Sequence, residues 1–146
     1  MNYINNFNQL YEKGAWFGDT YLEKLADVTE KEAFTQPMKG VHSIAELVSH
    51  VIHWRGGITK DSYPSMESPD NWRSLDTLKA MGWKKLLEEF TGSQKQVISV
   101  LKNARPEYFK EEYRPGNTRD YLVEGIIQHD IYHLGQLALV KKMIRM

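Results

Sequence analysis

Apolar residues recur at three- and four-residue steps along most of this chain, the spacing that gathers them on one face of a helix. Tyr3, Ile4, Phe7, Leu10 and Tyr11 predict a first amphipathic helix over residues 3–13. Gly14 and Gly18, on either side of Trp16-Phe17, break it. Asp19 reads as the N-cap of a short segment through Leu22 and Leu25. Thr29 with Glu32 forms a capping box for one further turn, which Pro37 ends.

A second capping box, Ser43-Ile44-Ala45-Glu46, opens the next main helix. Its predicted buried face is Ile44, Leu47, Val48, Val51, Ile52, Trp54 and Ile58, and Gly56-Gly57 weaken it near its end. Pro64, Pro69 and several serines make a loop from Asp61 to Trp72, long enough for a functional role. A third helix is predicted from Leu75 to Asn103, with Trp83, Leu87, Phe90, Val97 and Leu101 facing inward. Gly82 and Gly92 are the points where it could break. Residues 104–117 hold Pro106, Pro115 and Gly116 and form a second loop; Thr118 then caps a helix that runs to the C-terminus.

Four main amphipathic helices without a strand signal predict an all-α chain, a single four-helix-bundle domain over residues 1–146. About 24 residues separate the first two main helices, so the connection between them is expected to be a long crossover, not a hairpin.

The last helix carries the candidate chemistry. At about 100° per residue, Leu122, Ile126, Leu137, Val140 and Ile144 form one stripe. His129 and His133, four apart, fall near its middle. Two stacked imidazoles on an apolar face need a partner, because a buried polar group without one is destabilising. His50 lies at the inner edge of the second helix beside Leu47 and Trp54, whereas His53 points to water. His50, His129 and His133 are therefore the expected ligands of a divalent metal. Three imidazoles leave a fourth position for water or substrate, the pattern of a catalytic site. Such an ion would acidify bound water toward neutral pH.

Five histidines in this length give a pair at spacing four by chance in roughly one sequence in eight. Placement on the stripe, and a third histidine facing it, are what carry the reading. The competing one is a set of core histidines bonded to backbone or carboxylate. His129-Asp130-xx-His133 imitates the zinc-protease pattern, but Asp130 is shorter than the usual glutamate and is read as a flanking polar residue. Gln136 and Tyr132 border the stripe as candidate hydrogen-bond partners for the ligands. His42 is read as a turn residue, and Trp16, Trp54, Trp72 and Trp83 as core or loop anchors.

Composition narrows the classes. Nineteen basic and nineteen acidic residues balance to zero, so no electrostatic footprint for nucleic acid is present. Lys141, Lys142 and Arg145 are read as complementing the dipole at a helix C-terminus. No apolar run reaches the roughly 20 residues needed to span a bilayer, and no export signal is evident, so no membrane association and a cytoplasmic location are expected. Zero cysteines remove thiolate ligands, leaving histidine and carboxylate; any thiol chemistry would need an external thiol. The apolar and aromatic content suggests a homodimer.

Two segments carry a family resemblance. Ser43-Ile44-Ala45-Glu46-Leu47-Val48-Ser49-His50 followed by Trp54-Arg55 resembles the first-ligand helix of the DinB-like superfamily. His129-Asp130-Ile131-Tyr132-His133-Leu134-Gly135-Gln136-Leu137 resembles its last-helix motif. Trp16-Phe17-Gly18 and Asn71-Trp72 sit where similar members carry comparable features. The resemblance implies a four-helix bundle with a long first crossover and a zinc or nickel ion on His50, His129 and His133. Some relatives resemble transferases or isomerases that use a low-molecular-weight thiol, and others are called metal-dependent hydrolases. The expected function is thus a metal-dependent hydrolase or thiol-dependent transferase acting on a small molecule. A non-catalytic metal- or ligand-binding bundle that acts as a dimer is the alternative.

Overall fold

The computed structural model describes residues 2–60 and 62–146; Asp61, the expected start of the first long loop, lies outside them. Among the described residues the chain is mostly helical. Asn2 caps α1 (Tyr3–Tyr11), its side chain accepting from the Asn5 N–H at 3.0 Å. Two short helices follow, α2 (Tyr21–Leu25) and α3 (Glu30–Ala33). The α2 cap is Thr20, not Asp19: Thr20 and Glu23 form the reciprocal capping box, while Asp19 pairs with Lys24 at 2.8 Å. Thr29 and Glu32 cap α3 as expected.

Ser43 opens α4 (Ile44–Thr59) through its box with Glu46. The Gly56-Gly57 pair does not end this helix. A side chain at Gly57 would lie 3.2 Å from both Ile126 and Pro64, so its absence lets two other segments close over α4. The third expected helix is two. α5 (Leu75–Met81) stops at Gly82, whose φ of 93° and ψ of 150° suit only glycine, and α6 (Trp83–Asn103) starts afresh.

A short 3-10 turn at Pro106–Lys110 and a small antiparallel pair, β1 (Glu112–Arg114) with β2 (Asn117–Thr118), occupy the second loop. This pair departs from the strand-free expectation. Each strand is too short for a periodic pattern to be read, and Gly116 at φ 80° makes the turn. Thr118 then caps α7 (Arg119–Ile144), its hydroxyl accepting from the Tyr121 N–H.

The core lies where α4 packs on α6 and α7, and α1 packs on the same two helices. Phe7, Tyr21, Ile44, Val48, Val51, Phe90, Val97 and Leu137 fill it. Ile52, Trp54 and Leu87, expected inside, are half-buried at its margin. Lys141 and Arg145 do more than complement a dipole: they bond Asp27 at 2.6 and 3.0 Å and so tie the end of α7 to the α2–α3 segment.

Candidate metal centre

α4 and α7 lie side by side, and three imidazoles meet between them. His50 Nε2 and His129 Nε2 are 3.1 Å apart, and His129 Nε2 and His133 Nε2 are 3.0 Å apart. The three ligand nitrogens lie within 4.8 Å of one another. Zinc–imidazole bonds of about 2.0–2.1 Å in a tetrahedron put neighbouring nitrogens about 3.3 Å apart. The His50–His129 and His129–His133 separations come within a few tenths of an ångström of that spacing.

The ring orientations are imposed from outside the cluster. His50 Nδ1 donates to the Asn71 carbonyl at 2.7 Å, and His133 Nδ1 donates to Gln136 Oε1 at 2.6 Å. With the proton committed to Nδ1, each neutral ring presents a bare Nε2 lone pair to the common centre. His129 Nδ1 is buried and has no hydrogen-bond partner among the described residues, so His129 is the one ring whose Nε2 can carry the bridging proton. Two unprotonated nitrogens aimed at one point suit a cation, so the donor set fits a divalent metal.

Trp72 stacks face to face on His50, with ring centroids 3.8 Å apart and planes 6° apart. His42 covers the other face of Trp72 at 3.8 Å and approaches Glu46 at 3.2 Å. His42, read as a turn residue, thus helps hold the tryptophan that stacks on the candidate ligand His50. Asn71 adds a second link: its Oδ1 accepts from Trp54 Nε1 at 2.9 Å. His53 points away, bonding the Ser65 carbonyl. Trp16 is almost fully exposed and anchors nothing in the core.

Asp130 differs most from its reading as a flanking polar side chain. Its carboxylate is wholly buried, accepting from Arg55 Nε at 3.0 Å with the Arg55 terminal nitrogen at 2.9 Å. Arg55 is wholly buried too. Its donors also reach Ser93 Oγ at 3.2 Å, and its charge sits 4.8 Å from the Phe90 ring centroid. The pair stands 75 positions apart in sequence, and no local pattern announces it.

Above the histidines opens a cavity of about 500 Å³, a size typical of small-molecule sites. Tyr63 and Met66 come from the first long loop, Tyr113 and Arg114 from the second. Both loops therefore contribute to its walls. Tyr132 lines the cavity but makes no hydrogen bond to a ligand ring.

A family model described as the DinB superfamily matches residues 16–137. The chain belongs to the DinB superfamily. No curated protein and no solved structure matches it significantly. His50, His129 and His133 all lie inside the matched span, as does all of α4, while α7 runs past its end.

Burial shifts the histidines. It holds His50 down at about 4 and His129 at about 3, and it lowers His133. The neighbouring rings push in the same direction for His50 and His129. In the unfolded chain these groups titrate near their ordinary value of about 6.5. Between that value and about 4 the unfolded chain binds more protons, so stability rises with pH there. Chelator-treated protein should show a lower urea midpoint at pH 5 than at pH 7.5, and the drop should shrink in His50→Phe. Removing the partner of a ligand ring acts differently. Gln136→Leu should weaken zinc binding about 10- to 100-fold with little loss of fold, read by competition with a chromophoric chelator.

Proposed function

We propose that this chain is a metal-dependent enzyme in which His50, His129 and His133 hold one divalent ion, zinc or nickel, for chemistry on a small molecule. One observation carries the reading: three Nε2 atoms converge at the floor of an open cavity, with no carboxylate among them. Three protein ligands leave room for a reactant on the cavity side. A divalent ion held there supplies Lewis acidity. The protein's own part is to fix His50 and His133 through Asn71 and Gln136, to wall off solvent with Trp54, Trp72 and Tyr63, and to admit substrate between the two loops.

We take hydrolysis and thiol-dependent transfer as the two candidate reactions; the thiol would be external, since the chain has no cysteine of its own. We further read α1, α4, α6 and α7 as a four-helix bundle forming a single domain, with α2 and α3 on its long crossover. Exposed Tyr132 and Leu139 on α7 support a homodimer. We place the protein in the cytoplasm on its sequence pattern; among the described residues no helix is long and apolar enough to cross a membrane.

The test is turnover of a small ester and a small epoxide by zinc-loaded protein, each with and without added cysteine. Thiol-independent ester cleavage would assign hydrolysis, and thiol-dependent epoxide opening would assign transfer. Both should vanish on chelation and in His133→Ala. Turnover that survives both treatments would contradict the proposal.

A further inference from the structure

The cavity walls are aromatic and aliphatic: Trp54, Tyr63, Tyr113, Leu122, Ile126 and Tyr132 supply most of them. Apart from the histidines, the charged residues lining the cavity are Arg114 and Glu124. The two differ in how they are held. Glu124 is near the hydroxyl of Tyr3, at 3.4 Å, a group whose main acceptor is Asp120. Arg114 rests its guanidinium over two rings, 5.0 Å from the Tyr63 centroid and 5.4 Å from that of Tyr113. Those rings are stacked on each other at 5.3 Å, and Tyr63 meets Trp54 edge-on at 5.7 Å.

Arg55, Arg73, Arg119 and Arg145 each have a carboxylate partner, whereas Arg105, which is not in the cavity lining, has none among the described residues. Arg114 pairs with no carboxylate among the described residues and sits on an aromatic platform instead. Such a platform orients the planar fork; the Tyr113 hydroxyl draws on the guanidinium as well, and of its five N–H donors those left over can meet an oxyanion two at a time. The residue is also well placed mechanically. Arg114 pairs with Asn117 across the hairpin, and the next residue, Thr118, caps the helix carrying His129 and His133. Its position relative to the histidines is thus set by a paired hairpin, bulged between Glu112 and Arg114, that leads directly into α7.

Net charge points the same way. Three neutral imidazoles bring no negative charge to a divalent ion, and Arg114 and Glu124 offset each other, so the loaded cavity is net positive. We propose that Arg114 is the subsite for an oxyanion of the substrate, a carboxylate or a phosphate, and that the substrate is a small organic anion whose apolar body lies along the aromatic wall between Arg114 and the histidines. This rests on the proposed function for the reaction but not for the binding.

Calorimetric titration of zinc-loaded protein with benzoate, phenyl phosphate and the neutral isostere benzamide tests it. At least one of the two anions should bind about tenfold or more tightly than benzamide, the range for hydrogen bonds to a charged group. Whichever binds more tightly names the group. Arg114→Gln should bring that anion to the affinity of benzamide while the zinc content, measured separately, stays unchanged. The preference should persist in chelator-treated wild-type protein. Equal affinity for all three, no binding of any, or a preference untouched by Arg114→Gln would overturn the subsite, the last by placing the anion on the metal instead. Absence of bound metal together with an Arg114-dependent preference would instead sink the enzyme reading and leave the subsite standing.

Discussion

Asp130→Ala is expected to lower the unfolding free energy by about 3–5 kcal/mol, the range for removing one member of a buried ion pair. The reason is the guanidinium left behind. Arg55 is fully buried among Phe7, Tyr11 and Phe90, and without Asp130 its charge retains only Ser93 and the ring faces. Burial pushes the Asp130 carboxyl up, and the Arg55 guanidinium opposes that shift. A domain of this size has only about 5–15 kcal/mol in total, so the loss is a large part of its margin. Urea unfolding followed by circular dichroism measures it. Arg55→Met with Asp130→Leu should recover most of the loss, because an apolar pair of similar volume needs no desolvated charge. A single-variant loss below about 1 kcal/mol would show the pair to be better solvated than its burial implies.

The same pair has a consequence for the histidines. Asp130 follows His129 directly, and its backbone carbonyl accepts from the Tyr21 hydroxyl at 2.6 Å. Arg55 lies five residues after His50 on α4. The buried bond therefore sets the register between the two helices that must bring Nε2 atoms to one point.

His129→Ala is the second large effect. His129 sits between the other two rings, 3.1 and 3.0 Å from their Nε2 atoms, and its removal leaves a two-nitrogen site. Metal affinity should fall by more than about 100-fold, beyond what loss of an outer partner produces. Elemental analysis after gel filtration should find stoichiometric metal in the parent and none in the variant. His53→Ala serves as the control, since its ring turns away to Ser65. Equal loss in both variants would place the second-helix ligand at the wrong histidine.

Helix positions and the histidine cluster were legible because they rest on local rules. Ser43 and Thr118 announce helix starts by cap chemistry, and spacing four on an apolar stripe places His129 beneath His133. What could not be read depends on partners distant in sequence. Arg55 and Asp130 each look like ordinary surface charges until α4 and α7 are packed together. The Trp72 stack on His50 joins a loop to a helix across 22 positions, with no periodicity to reveal it. Gly82 and Gly92 were both legible as points where the helix could break, but only the backbone angles show that Gly82 is the one that breaks it.

X-ray absorption at the metal edge of protein purified without an affinity tag tests the central claim most directly. The expected spectrum shows one metal per chain with three imidazole nitrogens, at about 2.0–2.1 Å if the ion is zinc, and a further oxygen neighbour from the cavity side. A chain purified with no bound metal and unable to take one up, or an ion surrounded by oxygens without imidazole scattering, would contradict it.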